Sequence, residues 1–288
     1  MYKAVILGCE NSHADGFLNL IKDDPDFSEL EIVGVYSNEP EAAKKLSETF
    51  GVKIMENYDD AVGQVDGVIV TARHGDNHYK YAKPYISSGV PFFIDKPITV
   101  TEEDALAMAR EMREAKVKVC GGSMCKYGDG VQALRKDFEE NKDGKTVGGV
   151  VRAPISLVNE YGGYYFYSQH LVEIMTEIFG RFPKAVKAVV ADKRITAIFR
   201  YEDFDVCAYY FDGNYSYYAM RMAETSDIGY DLSLDNCCKR ELMSFYQLLH
   251  GEEPHQSYDE FIAPVFILNA LKRSMETGAE ETICYTPV

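Results

Sequence analysis

Tryptophan is absent from the 288 residues, and cationic side chains are scarce, with 30 Lys and Arg against 46 Asp and Glu and a net charge of −16. A surface this acidic is repelled by phosphate backbones and anionic lipids, which argues against nucleic acid and membrane as partners. No apolar run approaches the ~20 residues of a spanning helix. The opening MYKAVILGCE holds too short an apolar stretch for a signal peptide, so a cytoplasmic protein is expected. The seven cysteines (Cys9, Cys120, Cys125, Cys207, Cys237, Cys238 and Cys284) are odd in number and include no CxxC pair, as for reduced thiols in that compartment. Repeats and low-complexity tracts are missing too. What is present is an ordinary globular composition, 46% apolar and 26% charged, in a chain long enough for about two domains of ~150 residues.

Short apolar runs recur in the first 120 residues: KAVIL (3–7), EIVGVY (31–36), DGVIVTA (66–72), PFFID (91–95) and VKVC (117–120). Each is bounded by Gly, Pro or Asp and reads as a buried strand. Helical patterns alternate with them. In 38–51, Asn38 can cap, Pro40 sits in the first turn and Gly51 stops the helix. In 101–115, Thr101 and Asp104 form a capping-box-like start, and Ala105, Met108, Ala109 and Met112 make one apolar stripe. This alternation predicts an α/β doubly wound parallel sheet, a Rossmann-type domain over 1–122. From 123 to 288 the rhythm changes to long strands (145–157 and 183–222), a helix near 165–180 and two closing helices at 235–250 and 258–277. Short turns between the strands make an open, mainly antiparallel sheet, so an α+β domain is expected there.

In a doubly wound domain, ligand meets the carboxyl ends of the strands. The first such turn, Gly8-Cys9-Glu10-Asn11-Ser12-His13, has only the first glycine of G-x-G-x-x-G. Glu10 stands where a pyrophosphate should approach, and two unit charges ~5 Å apart repel by roughly 3 kcal/mol at an effective dielectric of ~20. Either Glu10 turns away or the phosphates sit differently; it also complements the helix dipole. Ser12 is a suitable helix cap near amides that hold an anion. The second strand ends at Tyr36-Ser37-Asn38, lacking the Asp or Glu that grips ribose in NAD sites, yet no Arg follows, only Lys44 and Lys45. NAD and NADP both remain open. Lys96, after Asp95 and before Pro97, is placed at a strand's carboxyl end to meet both cofactor and substrate.

These residues resemble the Gfo/Idh/MocA oxidoreductases, the family of glucose–fructose oxidoreductase and inositol dehydrogenase, over nearly the whole chain. Thr71 and His78 in TARHGDNH are similar to its T-P-x-x-x-H turn, with a longer loop. GVPFFIDKPIT (89–99) is similar to its G-K-x-V-x-x-E-K-P segment, and Gly122 to Tyr127 to its G-x-x-x-R-[FY] crossover, with Lys126 for Arg. Phe245, Gly251 and Pro254, then Ala270, Ser274 and Gly278, resemble its closing pattern. The family's D-x-G-x-H-x-x-D helix is matched by His170 and Glu173, while Phe166 and Ser168 replace the Asp and Gly.

The resemblance implies an NAD(P)-dependent dehydrogenase acting on a secondary alcohol or ketone of a sugar, cyclitol or related polyol, with Lys96 and His170 catalytic. An imidazole near its ordinary pKa of ~6.5 takes a hydroxyl proton at neutral pH. Expected cofactor contacts are Gly8, Glu10, Asn11, Ser12, His13, Ser37, Thr71, Arg73, His78, Asp95 and Lys96. Expected substrate contacts are His74, Lys126, Tyr161, Tyr167 and Glu173, and Arg73 with His74 also suits a substrate anion. A divalent metal on His13, His74 and His78, with Asp76 between the last two, is the weaker use of those residues, and none is expected. The 21 tyrosines include Tyr209, Tyr210, Tyr215, Tyr217 and Tyr218 on the later strands, which suit a homodimer or homotetramer interface through the C-terminal sheet. A non-catalytic small-molecule binding or sensing protein on the same scaffold is the alternative.

Overall fold

A computed structural model describes residues 1–288, which divide into two compact units. The first comprises Met1–Gly122, Cys238–Phe261 and Val288. Its five strands are β1 (Tyr2–Leu7), β2 (Leu30–Tyr36), β3 (Gly67–Val70), β4 (Phe92–Asp95) and β5 (Val119–Gly122). All pair in parallel, in the order β2-β1-β3-β4-β5. Helices α1 (Ser12–Asp23), α2 (Pro40–Phe50), α3 (Asp76–Ile86) and α4 (Glu102–Glu114) make the crossovers. Both faces are therefore covered, and β3 and β4 are buried at every position. Strand order reverses at β1, so the ligand crevice of such a sheet opens at the carboxyl ends of β1 and β3.

Local signals hold where they are strong. Thr101 caps α4 by accepting from the Asp104 amide, and the Ala105–Met108–Ala109–Met112 stripe is buried. Gly51 ends α2 in the left-handed region. The α2 cap is Glu39 rather than Asn38, and its side chain makes no capping bond; Pro40 alone presets the first turn. The first turn likewise differs from expectation: Asn11, not Ser12, caps α1, accepting from the His13 amide.

The cut at 122/123 with everything later in one domain needs correction. Residues 238–261, which include nearly all of α7 (Cys237–Leu249), belong to the first unit. Leu242, Phe245 and Leu249 recur on one helix face and join Ala4, Ile6, Phe17 and Phe93 in its core.

The second unit spans Ser123–Cys237 and Ile262–Pro287. Its helices are α5 (Asp129–Glu139), α6 (Tyr165–Phe179) and most of α8 (Tyr258–Thr277). Its strands are β6 (Thr146–Ile155), β7 (Ala185–Ala191), β8 (Arg194–Arg200), β9 (Asp205–Asp212), β10 (Tyr218–Ala223), β11 (Asp227–Asp231) and β12 (Glu280–Thr282). They form one sheet in the order β11-β10-β6-β9-β8-β7-β12, antiparallel except for β6 beside β9. Along β9, Val206, Ala208 and Tyr210 point into the core while Tyr209 and Phe211 are exposed. The tyrosines of this sheet thus divide, with Tyr210 buried and its hydroxyl on the Ser168 carbonyl, and Tyr209 outward.

Gly121 tests the packing of the first sheet. It sits at φ +129°, and a Cβ there would lie 2.0 Å from the Ile94 carbonyl oxygen of the neighbouring strand. Backbone cannot yield as a flexible side chain does. Gly121→Ala is expected to lower stability by about 2 kcal/mol or more in urea unfolding, and an unchanged midpoint would refute this account of the β4–β5 edge.

Candidate functional site

The β1–α1 turn is held by close backbone approach. Gly8 lies at φ +80°, and a Cβ on it would meet the Ala72 backbone at 2.4 Å. Thr71 Oγ1 donates to the Gly8 carbonyl at 3.0 Å and is fully buried. Burial pushes the neighbouring Cys9 thiol up to about 12, so it stays protonated. Glu10 turns away from the α1 amides: its carboxylate accepts from Ser37 Oγ at 2.6 Å and from the Arg73 amide at 3.0 Å. Ser37 in turn accepts from the Glu39 amide at 3.0 Å.

At the end of β4, Asp95 is fully buried. One carboxylate oxygen accepts from the Lys96 amide at 2.7 Å, and the other from Asn11 Nδ2 at 3.1 Å. That second oxygen also lies 2.9 Å from His13 Nδ1, and Glu241 of α7 reaches the same imidazole at 3.6 Å. Burial alone would push His13 down, but the two carboxylates outweigh it and hold the ring above its ordinary 6.5. Burial likewise pushes Asp95 up, and the positive charges of His13 and Lys96 reverse this, leaving it below 3.8. His13, Asp95 and Glu241 bring three ligand-type atoms within 4.8 Å of one another. No local pattern marks Glu241; its part depends on α7 returning to the first unit.

Several of the expected contacts are deeply buried. His78 is fully buried in the first turn of α3, its Nε2 2.7 Å from the Ala72 carbonyl oxygen, and burial lowers its pKa. Thr71, His78 and Asp95 have no exposed surface, and each makes a hydrogen bond to a neighbouring backbone group. The His13–His74–His78 set does not assemble: His74 pairs with Asp76 at 3.6 Å, His78 with Ala72, and His13 with Asp95. Lys96 is itself almost wholly buried.

In the second unit, His170 on α6 has its Nδ1 2.7 Å from Ser123 Oγ and 3.4 Å from Cys125 Sγ. Tyr167 packs edge-on at 5.0 Å between ring centroids and Tyr217 at 6.3 Å. Burial drives the Tyr217 hydroxyl well above its usual range, so it remains a neutral donor. One turn on, Glu173 accepts from Lys126 Nζ at 3.1 Å, Gln169 Nε2 at 2.8 Å and the Ser123 amide at 3.3 Å. Burial would push Lys126 down; the Glu173 carboxylate instead raises it to about 12. Lys126 and Glu173, expected at the substrate, form a buried ion pair that sets the start of the second unit against α6, because neither charge is tolerated there alone. Tyr161 packs its ring on Phe166 at 5.2 Å. Ser123, the direct partner of His170, was visible in the sequence only as a residue of the crossover.

The residues of the first turn suit a dinucleotide. Gly8 permits the tight turn, α1 presents a capped N-terminus that favours an anion, and the Glu10 carboxylate is bound elsewhere. Fold and turn together define a protein of the Rossmann dinucleotide-binding class, followed by an α+β unit. Residues 2–123 match the model of the Gfo/Idh/MocA family, described as an oxidoreductase family with an NAD-binding Rossmann fold.

Comparison with curated proteins finds no match. Among solved structures, myo-inositol 2-dehydrogenase from Lactobacillus plantarum is 13% identical, with 98% of this chain and 99% of that chain covered and a TM-score of 0.86. A myo-inositol dehydrogenase from Corynebacterium glutamicum is 16% identical, with both chains covered completely and a TM-score of 0.84. Scyllo-inositol dehydrogenase from Lactobacillus casei, solved with NAD(H) and scyllo-inositol, is 12% identical, with 98% and 99% covered and a TM-score of 0.84. At these identities the likeness is one of fold.

Since folded His13 keeps its proton above 6.5, its contribution to stability is complete below that pH and fades as pH rises through the raised value. The melting temperature is therefore expected to fall on raising pH from 6 towards 9, more steeply than in His13→Gln; parallel curves would refute the charge pairing.

Proposed function

We propose that the protein is an NAD-dependent dehydrogenase acting on a secondary alcohol of a sugar, cyclitol or related polyol, or on the matching ketone. The observation that carries this reading is the match of residues 2–123 to the model of an oxidoreductase family with an NAD-binding Rossmann fold. Gly8, Asn11, Ser12 and the amide end of α1 are the groups proposed to hold the dinucleotide, which when bound accepts or returns hydride. Lys96, next to the buried Asp95, is proposed to donate to the substrate oxygen and steady its developing negative charge. His170 is proposed to take the hydroxyl proton on Nε2. The Ser123 contact supports this role: an Nδ1–H donating to Ser123 Oγ leaves Nε2 with the lone pair of the neutral ring. Ser123 Oγ also accepts from the Cys125 amide at 3.2 Å, which leaves it a second lone pair for this bond. Tyr161, Tyr167 and His74 are proposed to shape the polyol site.

No helix is long and apolar enough to cross a membrane. A cytoplasmic location stays part of this proposal. So does a homo-oligomer through the outer face of the second unit's sheet, where Val189, Tyr209 and Phe211 are 64%, 41% and 40% exposed.

With NAD⁺ and a panel of cyclitols and sugars, Lys96→Ala and His170→Asn are each expected to lower kcat by at least about 10²-fold with the fold intact. Turnover unchanged in both variants would overturn the assignment; calorimetric silence towards every nicotinamide dinucleotide would favour the non-catalytic binding reading. For assembly, light scattering is expected to give at least a dimer for the native chain and a smaller species for Tyr209→Arg/Phe211→Glu; a native monomer would refute it.

A further inference from the structure

Glu10 occupies a position where a dinucleotide turn has glycine, and the end of β2 has Ser37 where an NAD site has an acid. The structure joins these two departures. Glu10 extends across the crevice from the β1 turn, and its carboxylate is bound by the hydroxyl of Ser37 and the amide of Arg73, beyond β3. We propose that Glu10 supplies, from the first turn, the carboxylate that β2 lacks, accepting from the adenosine ribose hydroxyls and selecting NAD over NADP. This rests on the dinucleotide-binding reading above.

A carboxylate offers about four lone-pair sites, and Ser37 and Arg73 use two of them. The remaining two match the donors of a vicinal diol. Ser37 has its hydroxyl proton directed to Glu10 and accepts from the Glu39 amide, so it has no proton for a 2′-phosphate. The lysines of α2 are engaged as well: Lys45 Nζ lies 2.7 Å from Asp15, and Lys44 pairs with Glu41 at 3.9 Å. A 2′-phosphate bearing about two negative charges would approach a largely buried carboxylate in place of a cation. The contrary arrangement, in which the Arg73 guanidinium takes that phosphate, makes NADP⁺ the tighter ligand.

The test is calorimetric titration of the full chain with NAD⁺ and NADP⁺, repeated on Glu10→Gln and on Glu10→Gln/Ser37→Asp. The native protein is expected to bind NAD⁺ at least tenfold more tightly, about 1.4 kcal/mol. Glu10→Gln, nearly isosteric, is expected to weaken NAD⁺ and strengthen NADP⁺, cutting the preference by tenfold or more. The double variant, with an acid restored at the end of β2, is expected to regain it. Equal or tighter NADP⁺ binding by the native chain overturns the proposal, as does tighter NAD⁺ binding by Glu10→Gln. Binding of both nucleotides at a ratio unchanged by Glu10→Gln removes the role of Glu10 and leaves the dehydrogenase reading standing. Failure of the native chain to bind either removes both.

Discussion

A carboxylate with no exposed surface is tolerated only when charges and hydrogen bonds replace the water it has lost, and Asp95 meets that condition with partners from separate parts of the chain. Asn11 and His13 come from the turn after β1, and the Lys96 amide from the next residue along. Glu241 on α7 shares His13. Together they set the α1 N-terminus, the carboxyl end of β4 and the returning helix. Lys96 leaves the sheet from a backbone whose amide is bonded to this group. The carboxyl end of β4 is thus anchored by a buried charge.

The second unit repeats the device with other residues. Glu173, buried on α6, holds Lys126, Gln169 and the Ser123 amide. Ser123 then contacts His170, which precedes Glu173 by three residues and so shares its helix face. In each unit a buried acid is bonded close to a residue proposed to act in catalysis, Lys96 in the first and His170 in the second.

The departures of the first turn from a glycine pattern follow from the same logic. His13 stands where a small residue would let helix and strand approach, and its ring finds a place because Asp95 and Glu241 offset its buried charge. Glu10 is accommodated because Ser37 and the Arg73 amide draw its carboxylate across the crevice. Each substitution depends on a partner distant in sequence, so the turn is read correctly only with those partners in view.

From sequence alone, the alternation of short apolar runs with capped amphipathic helices determined the parallel sheet, because hydrophobic period and turn chemistry are local properties. Thr101, Gly51 and the Ala105–Met112 stripe behave as their neighbours in sequence require. The His170–Glu173 spacing placed both on one face of a helix. Only the tertiary structure decided that α7 completes the first unit, that Lys126 and Glu173 neutralise each other, and that Thr71 and His78 face inward. It alone joined Glu10 to Ser37 and Glu241 to His13. Pairings between residues 27 to 228 positions apart leave no periodic trace in the chain, since they arise from burial and charge compensation once the elements have packed.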